Sequence, residues 1–181
     1  MGLVADLLVA AVSVAIMIQH GWATREHFVS KTLTPGSATI AAGVVITSLI
    51  YLVLLFGVEQ SPWAQIAGLV IELLGLRLFW AAIKASRNAR LQFVFSDVAP
   101  HGVLTAGPYA RIRHPFYASY ILVWIGWAVA TWSAWAMIPL VLMTAIYARA
   151  ALFEEQLFAG TPLAAEYAAY RKRAGMFWPK P

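Results

Sequence analysis

The sequence predicts an all-α integral membrane protein, a bundle of about five transmembrane helices. Hydrophobic residues make up 61% of the 181 residues, the mean hydropathy is +0.72, and only 12% of the residues are charged. Soluble domains are about 45–50% apolar and about 25% charged, so a soluble fold could not hide this much apolar surface. The apolar residues also occur in runs of about 20, which is the helix length that crosses a bilayer core of roughly 30 Å.

Five apolar runs are the predicted spans, and they cover residues 3–22, 38–58, 63–83, 116–131 and 135–152. Pro62 is placed to begin the third helix, because proline is favoured at the first helical position. The fourth run is short, so we expect a tilted helix or a locally thinned bilayer there. Residues 84–95 are predicted to extend the third helix into the cytoplasm, and residues 96–115 to form an ordered loop.

The distribution of positive charge predicts the orientation of the helices. Twelve of the 13 Lys and Arg residues lie in segments 24–37 and 84–115 and in the C-terminal region from Arg149 onward. These segments share one side of the membrane if the spans alternate, and the other side carries Asp6 and Glu59 but no Lys or Arg. Cytoplasmic loops are enriched in Lys and Arg, so we expect the N-terminus outside and the C-terminus in the cytoplasm.

The sequence also argues against several classes of function. It has no cysteine, which excludes disulfides and thiolate metal sites. The glycine-rich nucleotide-binding loops and the H-E-x-x-H zinc motif are missing, and the four His residues are scattered. The net charge of +5 fits basic cytoplasmic loops. We therefore expect no metal site and no nucleic-acid partner.

A loop rich in Gly, Pro and His precedes the fourth span. Gly107-Pro108 predicts a tight turn, and Pro115 is placed to begin the next helix. Arg113 and His114 therefore lie at a helix N-terminus, where free N–H groups favour an anion such as a carboxylate or phosphate. Arg113, like Arg111, could alternatively serve only as a topology signal and lipid-headgroup contact.

Acidic and aromatic residues follow the fifth apolar run. Glu154 and Glu155 are adjacent, about 100° apart on a helix, so at least one of them can point inward at a partner, although both could be solvated. Arg149 falls inside the apolar run and must snorkel or find an anion. Tyr167 and Tyr170 share a helix face and could cover a pocket or pack at the membrane interface.

Two charges lie within the third span. Glu72 should face protein or water rather than lipid, because a charge at mid-bilayer costs about 2.5–3.5 kcal/mol. A hydrogen bond to another helix and a place in a substrate cavity are both open for Glu72. Arg77 lies five residues further on, which is an indifferent spacing for a direct pair.

The order of these motifs resembles the isoprenylcysteine carboxyl methyltransferase and phospholipid methyltransferase superfamily. The resemblance covers roughly residues 95–178. It rests on Leu104-Thr105-x-Gly107-Pro108-Tyr109, on Arg113-His114-Pro115-x-Tyr117, on Glu154-Glu155-x-Leu157 and on Tyr167-x-x-Tyr170. It implies that residues 1–95 supply three N-terminal spans and that residues 96–181 form the methyltransferase core, within a single structural unit.

The resemblance further implies S-adenosylmethionine as the methyl donor, held by the loop and the C-terminal segment and released as S-adenosylhomocysteine. The implied cofactor-binding residues are His101, Gly102, Val103, Leu104, Tyr109, Arg113, His114, Pro115, Phe116, Tyr117, Glu154 and Glu155. The candidate catalytic residues are Arg149 and Arg173. In the carboxyl-methylating branch the substrate arginine lies four residues before its glutamate, whereas Arg149 lies five before Glu154.

Two further departures separate the chain from that pattern. Thr161-Pro162-Leu163 is an insertion between the acidic pair and Tyr167, and Ala118-Ser119 replaces the usual small residue and Gly.

The predicted function is methyl transfer to a lipophilic acceptor that reaches the site from the bilayer. A carboxylate on an isoprenylcysteine-like molecule is the first choice, because a carboxylate is already ionised at pH 7 and needs no base. The alternatives are a phospholipid amine, a sterol-reductase-like enzyme using NADPH, and a membrane scaffold without catalytic activity. Oligomeric state is left open.

Overall fold

The computed structural model describes residues 2–27, 35–87 and 102–180, and this part of the chain is built from helices. Its α-helices are α1 Gly2–His27, α2 Pro35–Gly57, α3 Pro62–Ser86, α4 Pro115–Ala130, α5 Met137–Ala159 and α6 Ala164–Arg173. Short 3₁₀ helices cover Gly107–Ala110 and Ala134–Ala136. The predicted all-α membrane fold is confirmed: α1, α2, α3 and α5 are long and apolar enough to cross a bilayer.

Helix α4 is a shorter apolar helix of 16 residues, as predicted for the fourth span. At 1.5 Å per residue it is about 24 Å long, less than the bilayer core. Helix α5 continues beyond the predicted end of its apolar run at residue 152 to Ala159. The acidic pair therefore lies on α5 itself, because a helix ends where its hydrogen bonds end and not where its hydropathy falls.

Helices α1 and α3 run parallel, and their contacts repeat every seven residues along each helix. Gln65 donates a hydrogen bond to Asp6, Ser13 donates one to Glu72 over 2.8 Å, and the ring of His20 packs on Phe79. Seven residues are nearly two helical turns, so one face of each helix carries the whole series.

Glu72 is fully buried in this interface, and Arg77 is exposed on α3. The expectation that Glu72 faces protein is confirmed. The hydrogen bond that it accepts from Ser13 joins α3 to α1.

Helices α3 and α4 make the closest contact in the bundle because glycines face each other. A Cβ atom added to Gly126 would lie 2.6 Å from the carbonyl oxygen of Gly68 and 2.7 Å from Cγ of Glu72. Small residues at such positions let transmembrane backbones approach closely. A Cβ on Gly75 would likewise lie 3.0 Å from the Ser119 carbonyl oxygen, so the close contact continues toward the start of α4, where the predicted loop motif ends.

Gly126→Ala is therefore expected to push α3 and α4 apart and to lower the yield and thermal stability of the folded protein in detergent. The loss should be about 1–3 kcal/mol, the usual cost of an overpacked core. Size-exclusion chromatography with a thermal ramp measures it. Gly21→Ala on α1 is the control, since a Cβ there meets nothing within 4 Å. Equal behaviour of the two variants would contradict the close packing.

An aromatic core fills the space between α2, α4 and α5. Trp124 donates a hydrogen bond from Nε1 to the Tyr147 hydroxyl over 3.1 Å, and both side chains are buried. The ring of Tyr147 stacks on Tyr117 with centroids 5.5 Å apart. This core thus holds Tyr117, from the first turn of α4, against α5 just before the acidic pair.

Candidate active site

The loop before α4 is tied to the C-terminal segment by backbone hydrogen bonds. Gly175 donates to Arg111 over 2.9 Å and accepts from Arg113 over 2.8 Å, and Met176 accepts from the amide of His114 over 3.1 Å. Ile112 and Gly175 form an isolated parallel bridge. The chain end following α6 is therefore part of the site.

The predicted turn at Gly107-Pro108 is confirmed. Gly107 has φ of 55°, a left-handed conformation that favours glycine, and it opens the 3₁₀ helix Gly107–Ala110. Tyr109 is buried, and its carbonyl oxygen accepts a hydrogen bond from the Tyr170 hydroxyl. Burial raises the pKa of Tyr109 above its usual range and that of Tyr170 to about 12, so both phenols are neutral. Helix α6 thereby fixes the loop.

Glu155 is the buried member of the acidic pair and is surrounded by cations. Its Oε1 lies 2.8 Å from Nε of Arg113 and 3.1 Å from Nε2 of His114, and its Oε2 lies 3.2 Å from Nε of Arg171. Arg113 also donates from Nη1 to the carbonyl oxygen of Ala174 over 2.6 Å. Glu155 and Arg113 together join α5, the loop and the chain end.

Glu154 faces the same loop but keeps access to solvent. Its Oε1 accepts a hydrogen bond from the Tyr117 hydroxyl over 2.6 Å, and its Oε2 lies 3.4 Å from Nδ1 of His114. One third of its side chain is exposed, against 4% for Glu155. The ring of His114 thus lies between the two carboxylates, with one nitrogen toward each.

This position determines the protonation of His114. Burial alone would lower the pKa of His114, but the hydrogen bonds and negative charges of Glu154 and Glu155 raise it above the ordinary 6.5. A protonated imidazole satisfies both carboxylates at once. The two glutamates thus favour the charged form of His114, which links the loop to the end of α5.

We expect the stability of the protein to fall as the pH rises above 6.5. The folded state holds the His114 proton more tightly than the unfolded chain does. Its contribution is therefore fully present below 6.5, the ordinary pKa, and is lost as the pH rises through the raised value. Melting temperature against pH tests this, and His114→Gln should flatten the slope above 6.5. A variant with the wild-type slope would show that another group is responsible.

The remaining loop residues pack against two apolar groups. Val103 packs against the buried group of Tyr167, Tyr170 and Ala174, and Leu104 packs against the one that includes Phe79 and Phe116. Pro115 and Phe116 are buried at the start of α4, and Gly102 is exposed. His101, the first of the predicted cofactor-binding residues, lies outside the described residues.

The model of the family described as phospholipid methyltransferase matches residues 63–161. The match spans more than half of the chain, from the first turn of α3 to just beyond the acidic pair. The chain belongs to the phospholipid methyltransferase family. It is accordingly a multi-pass membrane methyltransferase. No curated protein matches the chain.

The two candidate catalytic arginines of this methyltransferase lie outside the acidic cluster. Arg149 is exposed on α5, five residues or about 140° around the helix from Glu154, and has no ion-pair partner among the described residues. Arg173 is exposed at the end of α6, with its guanidinium 5.8 Å from the centroid of the Tyr170 ring. Their catalytic roles stay predictions.

Arg171 was not among the predicted site residues, although it reaches Glu155. The same holds for the backbone of residues 174–176. The available signal was position: Arg171 directly follows Tyr170, which belongs to the recognised Tyr-x-x-Tyr motif. Nothing in the spacing of Gly175 and Met176 indicates their pairing with the loop.

Proposed function

We propose that the chain transfers a methyl group from S-adenosylmethionine to a lipophilic acceptor at the cytoplasmic face of the membrane. The observation that carries this proposal is the shared cluster of Arg113, His114, Glu154 and Glu155, which joins the loop to the end of α5. The positive-inside distribution of charge supports a cytoplasmic site, with the N-terminus on the opposite side.

The acidic pair fits the polar end of this donor. Glu155 is already neutralised by its three cationic neighbours, so Glu154, with one third of its side chain exposed, is the carboxylate free to take an ammonium group or ribose hydroxyls. Oε2 of Glu155 is also buried without a hydrogen-bond donor among the described residues, although Arg171 is within ion-pair distance. A ligand N–H or O–H would satisfy that oxygen.

The loop residues take different parts in this proposal. Arg113 is occupied by Glu155 and the Ala174 carbonyl, so we assign it to positioning the loop rather than to binding the donor's carboxylate. The other proposed contacts with the donor come from the loop, the start of α4 and α5, namely His101, Gly102, Val103, Leu104, Tyr109, His114, Pro115, Phe116, Tyr117, Glu154 and, through its Oε2, Glu155.

The chemistry asks little of the protein beyond positioning. The bound donor supplies an electrophilic methyl group on a sulfonium ion, and transfer is an in-line displacement. Catalysis therefore rests on holding the acceptor in line and keeping water out. The stacked rings of Tyr117 and Tyr147 lie next to the acidic pair, and aromatic faces attract a cation such as the sulfonium. Tyr117 is at the same time held by Glu154.

A carboxylate of an isoprenylcysteine-like molecule is our first choice of acceptor. It is ionised at neutral pH and can attack without losing a proton. His114 is bound to both glutamates and is therefore not a free base. Arg149 on the membrane-spanning helix α5 has no ion-pair partner among the described residues and is suited to orient a carboxylate.

A phospholipid amine is the second candidate, and the description of the matched family favours it. An ammonium group must lose a proton before it can attack a methyl group, so this acceptor needs a base that a carboxylate does not.

The test is transfer of a radiolabelled methyl group from S-adenosylmethionine to prenylcysteine analogues and to membrane lipid extracts, with purified protein in detergent. We expect label in one lipophilic acceptor class, lost in Glu154→Gln. Saturable binding of NADPH with no binding of S-adenosylhomocysteine would instead favour a reductase. Binding of neither ligand would favour a scaffold.

A further inference from the structure

Four basic residues lie at the end of α6 and in the chain end that follows it. They are Arg171, Lys172, Arg173 and Lys180, and all four side chains are exposed. Within the described ranges only Arg171 has an ion-pair partner, and that partner, Glu155, is buried. The exposed charge at this end of α6 is therefore entirely positive.

The chain end folds back onto α6. Nζ of Lys180 donates a hydrogen bond to the carbonyl oxygen of Arg171 over 2.7 Å and lies 3.4 Å from that of Lys172. These carbonyl groups belong to the last turn of the helix, where no intrahelical donor is available. Lys180 thus caps α6 by itself. The side chains of Lys172 and Arg173 make no hydrogen bond or ion pair with the described residues, so the fold of this part of the chain does not account for them.

Trp178 places this end of α6 at the edge of the bilayer. Together with Phe177 it lines the same apolar surface as Val141 and Ala148 of α5. Val141 is exposed within the fifth span, so this surface faces lipid. Trp178 is itself half exposed, and tryptophan is enriched where the membrane meets water. Lys180 follows Trp178 by two residues, or at most about 7 Å of chain, so the basic residues lie at the level of the lipid head groups.

The chain end also forms one side of the candidate active site. Gly175 pairs with the backbone of Arg111 and Arg113, and Met176 pairs with that of His114. Whatever holds the chain end at the membrane surface therefore holds the loop before α4 there as well.

We propose that the end of α6 and the chain end bind the head groups of anionic phospholipids in the surrounding bilayer. This basic surface consists of Arg171, Lys172, Arg173, Trp178 and Lys180. Four or more Lys and Arg residues next to a membrane-spanning helix attract anionic lipids, because each cation gains from the negative surface potential. A zwitterionic head group has no net charge and gains far less. The tryptophan ring lies at the boundary, and the cations contact phosphate oxygens.

The experiment reports on the lipids next to Trp178. The protein is reconstituted in bilayers of phosphatidylcholine and phosphatidylglycerol, in which one lipid at a time carries brominated chains that quench tryptophan fluorescence on contact. The emission of Trp178 is the difference between the wild type and Trp178→Phe. We expect phosphatidylglycerol to be enriched about fivefold over phosphatidylcholine at Trp178 at low ionic strength, and the enrichment to fall in high salt.

The double variant Lys172→Gln with Lys180→Gln removes two charges from the basic surface, while glutamine keeps an N–H donor for the helix end. It should lower the enrichment about threefold or more, each background being measured with and without Trp178→Phe. The matched control, Arg25→Gln with Lys84→Gln, removes two exposed charges from the ends of α1 and α3 and should keep the wild-type enrichment. Replacing Lys172 and Lys180 by arginine should also keep it, because the charge is retained.

Equal quenching of Trp178 by the two brominated lipids in the wild type would overturn the proposal. The same loss of enrichment in both glutamine double variants would also overturn it, because the overall charge of this face would then attract the lipid. An absence of quenching by either lipid would show that the chain end lies away from the bilayer.

Discussion

Glu154→Ala is expected to weaken binding of S-adenosylhomocysteine at least tenfold. The proposed contact is a charge-assisted hydrogen bond to the ligand's ammonium group or ribose, and such bonds contribute about 1.5–3 kcal/mol. Each 1.4 kcal/mol corresponds to about a factor of ten in affinity. Isothermal titration with purified protein measures the change directly. Because Glu154 is partly exposed but bonds to Tyr117 and pairs with His114, the melting temperature should fall less than in Glu155→Ala.

The matched control is Glu166→Ala, which removes an exposed carboxylate from the first turn of α6. It should leave the affinity unchanged, whereas Glu154→Gln, which keeps the size of the side chain, should resemble Glu154→Ala. An unchanged affinity in Glu154→Ala would remove this residue from the donor site.

Glu155→Ala is expected to have the larger effect on stability. It leaves Arg113, whose side chain is 7% exposed, without its carboxylate, and it removes a partner from His114. Removing one partner of a buried ion pair typically lowers the free energy of unfolding by about 3–5 kcal/mol. The loop, α5 and the chain end would lose their common anchor. We therefore expect a clearly lower melting temperature together with loss of donor binding.

Arg171→Ala provides the comparison for this prediction. Its side chain is 53% exposed, so its ion pair with Glu155 should contribute about 1 kcal/mol or less. The melting temperature should therefore fall far less than in Glu155→Ala. If Glu155→Ala melted like the wild type, the buried cluster would not be what holds these segments together.

The sequence was sufficient to predict most of the helical architecture, because a bilayer imposes both the length and the apolar character of each span. Pro62 and Pro115 each begin a helix as predicted, since proline is favoured at the first helical position. Hydropathy predicts an end of α5 that is too early, because it falls at the acidic pair while the helix continues to Ala159.

Parts of the site depend on distant contacts that local patterns do not encode. That Glu154 and Glu155 both face His114 requires the register of α4 against α5, where Trp124 bonds to Tyr147 and Tyr147 stacks on Tyr117. The pairing of Gly175 with the loop is a backbone interaction and leaves no mark on side-chain identity. Asp6, Ser13 and His20 do recur every seven residues, a pattern that only the pairing with α3 explains.

The most direct test is an experimentally determined structure of the purified protein with S-adenosylhomocysteine. The ligand should lie between the loop before α4 and the end of α5, with its amino-acid or ribose groups against Glu154. A ligand bound elsewhere in the bundle, or a structure in which His114 is separated from Glu154 and Glu155, would contradict the proposed site.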